Sequence, residues 1–138
     1  MGLRPVELLL VEDSASDIFI VKETLGELPF PVNVRVAVDG QQALKMLADD
    51  NFRPDLVILD LNLPKVHGFD VLKRCNIPEM RIVVFSSSSN PDDLQRSFEL
   101  GAREFVHKPH GLDEFRQQVK QIVRNWAPPH LVNASGIN

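Results

Sequence analysis

Five short runs of apolar residues alternate with longer segments along this chain. Each run is rich in Val, Ile, Leu or Phe and is typical of a β-strand; the runs cover residues 6–11, 32–38, 56–59, 81–85 and 104–107. The segments between them are too long for hairpin turns and place apolar residues three or four positions apart, as in Leu112, Phe115, Val119 and Ile122. Strands that alternate with amphipathic helices predict a parallel sheet.

The distribution of apolar and polar residues within each run predicts the order of the strands in that sheet. Residues 8–11, 56–59 and 82–85 are continuously apolar, as expected for central strands that helices cover on both faces. The runs at 32–38 and 104–107 include polar residues and are typical of edge strands. We therefore predict an α/β fold with a flavodoxin-like, doubly wound sheet of five parallel strands in the order 2-1-3-4-5, accompanied by five helices.

Polar residues and glycine mark the ends of several predicted helices. Ser14 is a suitable N-cap for the first helix and Asn90 for the fourth. Gly101 is placed to end the fourth helix. The third helix is predicted at residues 69–75, where Pro78 limits its length.

Composition and charge narrow the class of protein. The chain has 138 residues, of which 43% are hydrophobic and 25% charged, which is typical of one globular domain. The net charge of -4 gives no indication of a nucleic-acid or membrane surface, and no apolar run reaches the ~20 residues that span a bilayer. A single cysteine, Cys75, and the lack of an apolar signal stretch predict a cytoplasmic protein. We predict a domain over residues 1–126 and a short C-terminal extension over 127–138.

Charged and hydroxyl side chains directly follow four of the five predicted strands. Glu12 and Asp13 follow the first, Asp60 the third, Ser86 the fourth and Lys108 the fifth. Because parallel strands point the same way, their carboxyl ends meet at one edge of the sheet, where open α/β folds bind ligands. We therefore expect these five side chains to lie close together.

Three carboxylates placed together repel one another. At ~4 Å each pair costs about 1 kcal/mol in water and about 4 kcal/mol at the effective dielectric near a protein surface. A divalent cation relieves this repulsion, and a ligand set of oxygens without Cys or a His pair favours Mg²⁺ or Mn²⁺ over zinc. Lys108 and Ser86 add a positive charge and a hydroxyl donor that suit phosphoryl oxygens. A carboxylate can also act as a nucleophile and form an aspartyl phosphate, and Asp60, at the tip of a central strand, is the best placed.

Four motifs occur in the order and at the spacing of a known family. They are LLVED at residues 9–13, DLVILDLNLP at 55–64 followed by Gly68, VFS at 84–86 and FVHKP at 105–109. With these motifs, residues 6–126 resemble the receiver domain of two-component response regulators. The DLNLP wording, Ser87, Ser88 and Trp126 are most similar to the stand-alone regulators associated with bacterial phytochromes.

This resemblance implies a phosphorylation site centred on Asp60, the position of the phospho-acceptor in receiver domains. Asp60, Asp13 and the backbone carbonyl of Asn62 would bind Mg²⁺ directly, and Glu12 would bind it through water. Lys108 would pair with the phosphoryl group.

The resemblance also implies a switch beside the acceptor. Ser86 would be the hydroxyl that moves toward the phosphoryl group, and the Ser87 amide would bind another phosphoryl oxygen. Phe105 would be the aromatic side chain that changes rotamer when Ser86 moves, but it lacks the hydroxyl of the tyrosine frequent at that position. Glu12 and His67 stand where the family has Asp more often, and Ser86 where it has Thr; none of these departures removes a group needed for phosphotransfer.

The function implied is that of a single-domain response regulator. A sensor histidine kinase, of the phytochrome type in the narrower resemblance, would donate a phosphoryl group to Asp60 with Mg²⁺ or Mn²⁺ present. The fourth helix, fifth strand and fifth helix would then bind a downstream protein or a second copy, since no effector-sized segment follows Trp126. Such a protein is a switch rather than an enzyme, with at most self-phosphorylation and self-dephosphorylation.

The residues leave two other functions open. A small phosphatase or phosphotransferase could use Asp60 as its nucleophile, and the Asp60-x-Asn62 spacing is similar to that of haloacid dehalogenases. That family, however, has its nucleophile on the first strand and a second acid where Asn62 stands. A flavodoxin-like cofactor carrier would need a loop that cradles phosphate after the first strand, but this loop opens with Glu12 and Asp13.

Overall fold

The computed structural model describes residues 4–75 and 78–133. Within them the chain has five strands, which are β1 (Val6–Val11), β2 (Val32–Ala37), β3 (Leu56–Leu59), β4 (Arg81–Ser86) and β5 (Glu104–His107). The same residues form six helices, which are α1 (Ala15–Gly26), α2 (Gly40–Leu47), α3 (Gly68–Arg74), α4 (Pro91–Glu99), α5 (Leu112–Trp126) and α6 (Pro129–Val132). Strands and helices alternate from β1 to α5, as predicted.

The strands form one parallel sheet in the order β2-β1-β3-β4-β5. Every residue of β3 is buried, and β1 and β4 each have a single half-buried residue. In β2 half-buried and exposed residues alternate up to the buried Ala37, and β5 has one buried residue. The predicted α/β fold, the strand order and the division into central and edge strands are therefore confirmed.

Each face of the sheet has its own apolar core, because successive side chains of a strand point to opposite faces. Leu8 and Leu10 of β1 pack with buried residues of α1 and α5, whereas Leu9 and Val11 pack on the other face with residues of α2 and α3. Val11 lies beside Leu59 of β3 in the sheet register. The residues that follow these two strands therefore leave the sheet at the same level.

The predicted caps are present at the ends of α1 and α4. The Ser14 hydroxyl accepts a hydrogen bond from the Asp17 amide at 3.3 Å, and the Asn90 side chain accepts one from the Asp92 amide at 3.0 Å. Gly101 has a φ of 108°, which lies in the left-handed region that glycine adopts without steric cost. The chain therefore turns out of α4 at the predicted residue.

The structure differs from the sequence-based prediction in a few boundaries and in one added helix. β2 ends one residue earlier than predicted, β4 continues through Ser86, and α3 starts and ends one residue earlier. The unpredicted helix is α6, in which Leu131 is 4% exposed and belongs to the core on the α1 and α5 face. A single turn with one buried side chain has no period that a sequence pattern can show. Residues 134–138 of the predicted extension lie outside the described residues. No helix in the described part of the chain is long and apolar enough to cross a membrane.

Candidate functional site

Backbone pairing continues past β1 and β3 and fixes the acidic residues at the carboxyl edge of the sheet. The Glu12 amide donates to the Ala37 carbonyl at 2.9 Å, and the Asp60 amide donates to the Val11 carbonyl at 3.0 Å. Glu12 and Asp60 are 3% and 6% exposed, whereas Asp13 is exposed. Carboxylate oxygens of these three acids lie within 4.8 Å of one another. The structure thus brings together the acids that the strand ends predicted.

Lys108 joins this cluster from the far side of β4. Its amide donates to the Ser86 carbonyl at 2.9 Å, which extends the pairing of β4 with β5. Its Nζ lies 2.7 Å from Glu12 Oε1, 2.9 Å from Asp17 Oδ2 and 3.1 Å from Asp60 Oδ2. An ammonium has three protons to donate, so these three carboxylates use its full donor capacity.

The cluster is strongly acidic in spite of this lysine. Four carboxylates and one ammonium leave a net charge of -3 when all are ionised; the groups are Glu12, Asp13, Asp17, Asp60 and Lys108. Carboxylate oxygens at such distances repel one another, and hard divalent cations such as Mg²⁺ and Mn²⁺ prefer oxygen ligands. Glu12, Asp13 and Asp60 therefore fit a divalent metal site.

Burial and the charged neighbours shift the pKa values of two groups in the site. Burial raises the pKa of Glu12 to about 7, and the charge of Asp60 adds to this, while hydrogen bonds from Lys108 and the Ser14 amide oppose it. Burial by itself lowers the pKa of Lys108, but hydrogen bonds to Glu12 and Asp17 and the charge of Asp60 outweigh burial and raise that pKa above its usual value. Lys108 is therefore a fixed cation at neutral pH.

A chain of hydrogen bonds links the end of β4 to α4. Ser86 is fully buried, and its hydroxyl accepts a hydrogen bond from the Ser88 amide at 3.2 Å. The Ser88 hydroxyl in turn donates to Asp93 Oδ2 in α4 at 2.5 Å. Among the described residues, no hydrogen bond joins the Ser86 hydroxyl to Asp60. The predicted switch hydroxyl is thus at the right edge of the sheet but is engaged elsewhere.

The remaining predicted site residues are close to the cluster or beside it. The Asn62 amide donates to Asp60 Oδ1 at 3.2 Å. Ser87 is exposed and lines, with Lys108, a pocket of about 330 Å³. Phe105 is half-buried on β5 and packs against the core on the α2 and α3 face. These positions are compatible with the roles given above, and the roles themselves stay predictions.

Asp17 belongs to the site although no motif predicted it. It lies in the first turn of α1 and makes a direct contact with Lys108 Nζ. The available signal was its spacing: Asp17 follows Asp13 by four residues, across the cap at Ser14. An acid in the first turn of the helix after a central strand lies next to the carboxyl edge of the sheet, so its side chain can reach the groups there.

The loop between β3 and α3 is closely packed against the phospho-acceptor candidate. The Gly68 amide donates to the Leu61 carbonyl at 2.9 Å. A Cβ atom on Gly68 would lie 2.5 Å from Leu61 Cα and 2.8 Å from the Asp60 carbonyl oxygen. His67 caps α3 by accepting a hydrogen bond from the Phe69 amide through Nδ1 at 3.1 Å. The start of α3 therefore supports the backbone of Asp60, and only glycine permits this approach.

A family model describes most of this chain. The model of the response regulator receiver domain matches residues 8–120. The chain belongs to the response regulator receiver family. This assignment confirms the resemblance to two-component response regulators that was drawn from the four motifs. It favours a response regulator over a phosphatase or phosphotransferase and over a flavodoxin-like cofactor carrier.

Within the receiver family, regulators of cyanobacterial origin are similar to this chain over nearly its whole length. Response regulator Rcp1 of Synechocystis is 32% identical in an alignment 131 positions long, which covers 88% of this chain and 89% of Rcp1. The crystal structure of the phosphorylated cyanobacterial phytochrome response regulator RcpA has a TM-score of 0.84 and 34% identity, and covers 89% of this chain and 94% of RcpA. The Mn²⁺-bound form of Rcp1 has a TM-score of 0.82 and 34% identity, with 88% and 94% covered. The narrower resemblance to phytochrome-associated regulators is therefore confirmed as well.

Proposed function

We propose that this chain is a single-domain response regulator that accepts a phosphoryl group on Asp60. The observation that carries this proposal is the surroundings of the Asp60 carboxylate, which is nearly buried yet lies at the tip of a central strand. Lys108 Nζ and the Asn62 amide contact its two oxygens, at 3.1 and 3.2 Å. Membership of the receiver family supports the same assignment.

The transfer itself needs a nucleophile and groups that hold the phosphoryl oxygens. A carboxylate oxygen of Asp60 attacks the phosphorus of a phosphohistidine, the phosphorus–nitrogen bond breaks, and its electron pair stays on the imidazole, which takes a proton from solvent. Lys108 keeps its charge and binds a phosphoryl oxygen. Ser86, once its hydroxyl turns from the Ser88 amide, and the Ser87 amide bind the others.

A divalent cation is part of this proposal. Asp13, Asp60 and the Asn62 carbonyl would hold Mg²⁺ or Mn²⁺ directly, and Glu12 would hold it through a water molecule. The close acids and their uncompensated negative charge support this set. When bound, the cation neutralises negative charge on the phosphoryl oxygens during transfer. The Mn²⁺-bound form of Rcp1 also supports a metal here.

The partners we propose are a sensor histidine kinase of the phytochrome type and a target that binds α4, β5 and α5. RcpA is a phytochrome response regulator, which supports the kinase class. On α4, Leu94 and Phe98 lie four residues apart and are 45% and 46% exposed, so this otherwise polar helix has an apolar pair for a downstream protein or a second copy. Phe105, half-buried on β5, would report the position of Ser86. Equal sedimentation before and after phosphorylation would argue against a phosphate-dependent dimer.

The acceptor can be tested by mass. We expect the protein, incubated with Mg²⁺ and acetyl phosphate, to gain an adduct of ~80 Da, as expected for one added phosphoryl group. Asp60→Asn should abolish the adduct, because an amide cannot replace the carboxylate nucleophile. Asp55→Asn is the matched control, since Asp55 directly precedes the strand that Asp60 follows and pairs with Arg4. An unmodified wild type, or an undiminished adduct in Asp60→Asn, would refute the proposal.

A further inference from the structure

Lys108 is shared between the acceptor and a residue outside the phosphotransfer set. Its Nζ is closer to Asp17 Oδ2, at 2.9 Å, than to Asp60 Oδ2, at 3.1 Å. The three protons of the ammonium already have three carboxylate acceptors. Phosphorylation changes Asp60 itself, so a phosphoryl oxygen can take over the contact of Asp60 with Lys108, but Nζ can turn fully to the phosphoryl group only if Glu12 or Asp17 also gives way.

Burial indicates which of the contacts with Glu12 and Asp17 gives way. The Glu12 side chain is 4% exposed and lies 2.7 Å from Nζ, so loss of this contact would leave a buried carboxylate without its partner. The Asp17 side chain is 24% exposed, so water can solvate it when the contact is lost. Asp17 also lines the pocket beside Lys108 and Ser87, where water has access. Of these two contacts, the one between Asp17 and Lys108 is thus the one that gives way, and while it is made it competes with the phosphoryl group for Lys108.

The charge of Asp17 acts in the same direction. Its Oδ2 and Asp60 Oδ2 contact the same nitrogen at 2.9 and 3.1 Å, so they lie no more than 6.0 Å apart. A phosphoryl group on Asp60 brings a charge of about -2 into this space. A fixed carboxylate at this distance raises the free energy of the phosphorylated state.

We propose that Asp17 is a positioning residue that holds Lys108 back from the phosphoryl group and so shortens the lifetime of the phosphorylated state. This inference rests on the proposed function, in which Asp60 accepts the group. Loss of the group is hydrolysis: water attacks phosphorus, the bond from phosphorus to the Asp60 oxygen breaks, and its electron pair stays on the carboxylate. The proton of the water passes to solvent as inorganic phosphate leaves.

The direction of the effect follows from where charge moves during hydrolysis. In a loose, metaphosphate-like transition state the bond to the carboxylate is largely broken, so the charge of the phosphoryl group falls from about -2 toward the -1 of metaphosphate while the leaving carboxylate gains negative charge. A lysine fully seated on the phosphoryl oxygens therefore stabilises the phosphorylated state more than the transition state. Without the Asp17 carboxylate, Lys108 is free to take that position, and hydrolysis becomes slower.

The experiment compares lifetimes of the adduct. Wild type and Asp17→Asn are phosphorylated with acetyl phosphate and Mg²⁺, the donor is removed, and loss of the ~80 Da adduct is followed by intact mass. We expect a half-life about tenfold longer in Asp17→Asn, as for loss of one hydrogen bond to a charged group. Asp17→Glu keeps the charge and should bring the half-life back toward that of wild type.

Two further measurements separate positioning from a general effect on α1. Glu23→Gln removes a 52% exposed acid from the same helix, near Arg116, and should leave the half-life unchanged. Thermal unfolding of each variant checks that the fold is kept. An equal or shorter half-life in Asp17→Asn, or the same lengthening in Asp17→Glu or Glu23→Gln, overturns the inference. A wild type without any adduct instead rejects the proposed function, and this inference with it.

Discussion

Replacing Gly68 by alanine should disturb the loop that carries Asp60. The added Cβ would lie 2.5 Å from Leu61 Cα, 2.8 Å from the Asp60 carbonyl oxygen and 2.9 Å from the Leu61 carbonyl oxygen, whereas ordinary contacts start at 3.4 Å. All three are backbone atoms, so no side chain can rotate away to make room. The start of α3 and the backbone of Asp60 and Leu61 must therefore move apart by several tenths of an ångström or more.

The cost of this movement is set by two opposing effects. Overpacking a closely packed site costs about 1–3 kcal/mol, and alanine recovers up to about 1 kcal/mol because it loses less backbone entropy than glycine on folding. We expect a net loss of about 1–2 kcal/mol in the free energy of unfolding, or roughly 3–8 °C in Tm for a domain of this size. Phosphorylation should slow as well, because Asp60 shifts relative to Lys108, whose Nζ is 3.1 Å away.

Thermal and urea unfolding of Gly68→Ala measure the stability, and the rate of adduct formation with acetyl phosphate measures the effect on the site. Gly26→Ala is the matched control, since Gly26 is also a helical glycine but a Cβ there meets nothing within 4 Å. This control should be as stable as wild type or gain up to about 1 kcal/mol. If Gly68→Ala proves as stable as Gly26→Ala and is phosphorylated at the wild-type rate, the tight packing of this loop is refuted.

Two more predictions concern stability away from the site. Leu131→Ala should lower the free energy of unfolding, measured with urea, by about 2–4 kcal/mol because Leu131 is 4% exposed. Leu112→Ala, at a 55% exposed position, should lower it by almost nothing. Equal effects would mean that α6 does not pack on the core. Burial raises the pKa of Asp55, but hydrogen bonds from Arg4 and the Glu7 amide outweigh burial and lower the pKa in the folded state. The ionised Asp55 therefore stabilises the fold at pH values above its pKa in the unfolded chain, which is about 3.9. The stability lost in Arg4→Gln, at most about 1 kcal/mol because Arg4 is 52% exposed, should therefore shrink as the pH falls from 7 to 3; a loss that grows instead would contradict this.

The order of the strands could be predicted because a strand buried on both faces is apolar throughout, whereas a strand buried on one face alternates apolar and polar residues. β3 has no polar residue in its four positions, which suits a strand covered on both sides. Asn33 and Arg35 in β2 alternate with valines and need water on one face. The meeting of Glu12, Asp60 and Lys108 followed from the parallel direction of the strands, which brings their carboxyl ends to one edge.

Contacts that depend on how helices dock could not be predicted in the same way. Asp17 reaches Lys108 because α1 packs on the sheet at a particular angle, and its sequence spacing alone fits a capping residue equally well. The contact between Ser88 and Asp93 likewise depends on where α4 begins relative to the loop. The roles given to Ser86 and Phe105 depend on how these side chains move after phosphorylation, which a sequence pattern does not encode.

The position of Ser88 has a consequence for any protein that binds α4. Its amide donates to the Ser86 hydroxyl and its own hydroxyl donates to Asp93. Ser88 therefore contacts both the end of β4 and the first turn of α4. If phosphorylation draws the Ser86 hydroxyl toward Asp60, the environment of α4 changes with it. Thermodynamic reciprocity then requires that a target which binds the phosphorylated form more tightly shifts the phosphorylation equilibrium toward that form by the same factor. The abundance of the target would thereby help to determine how much of the regulator is active.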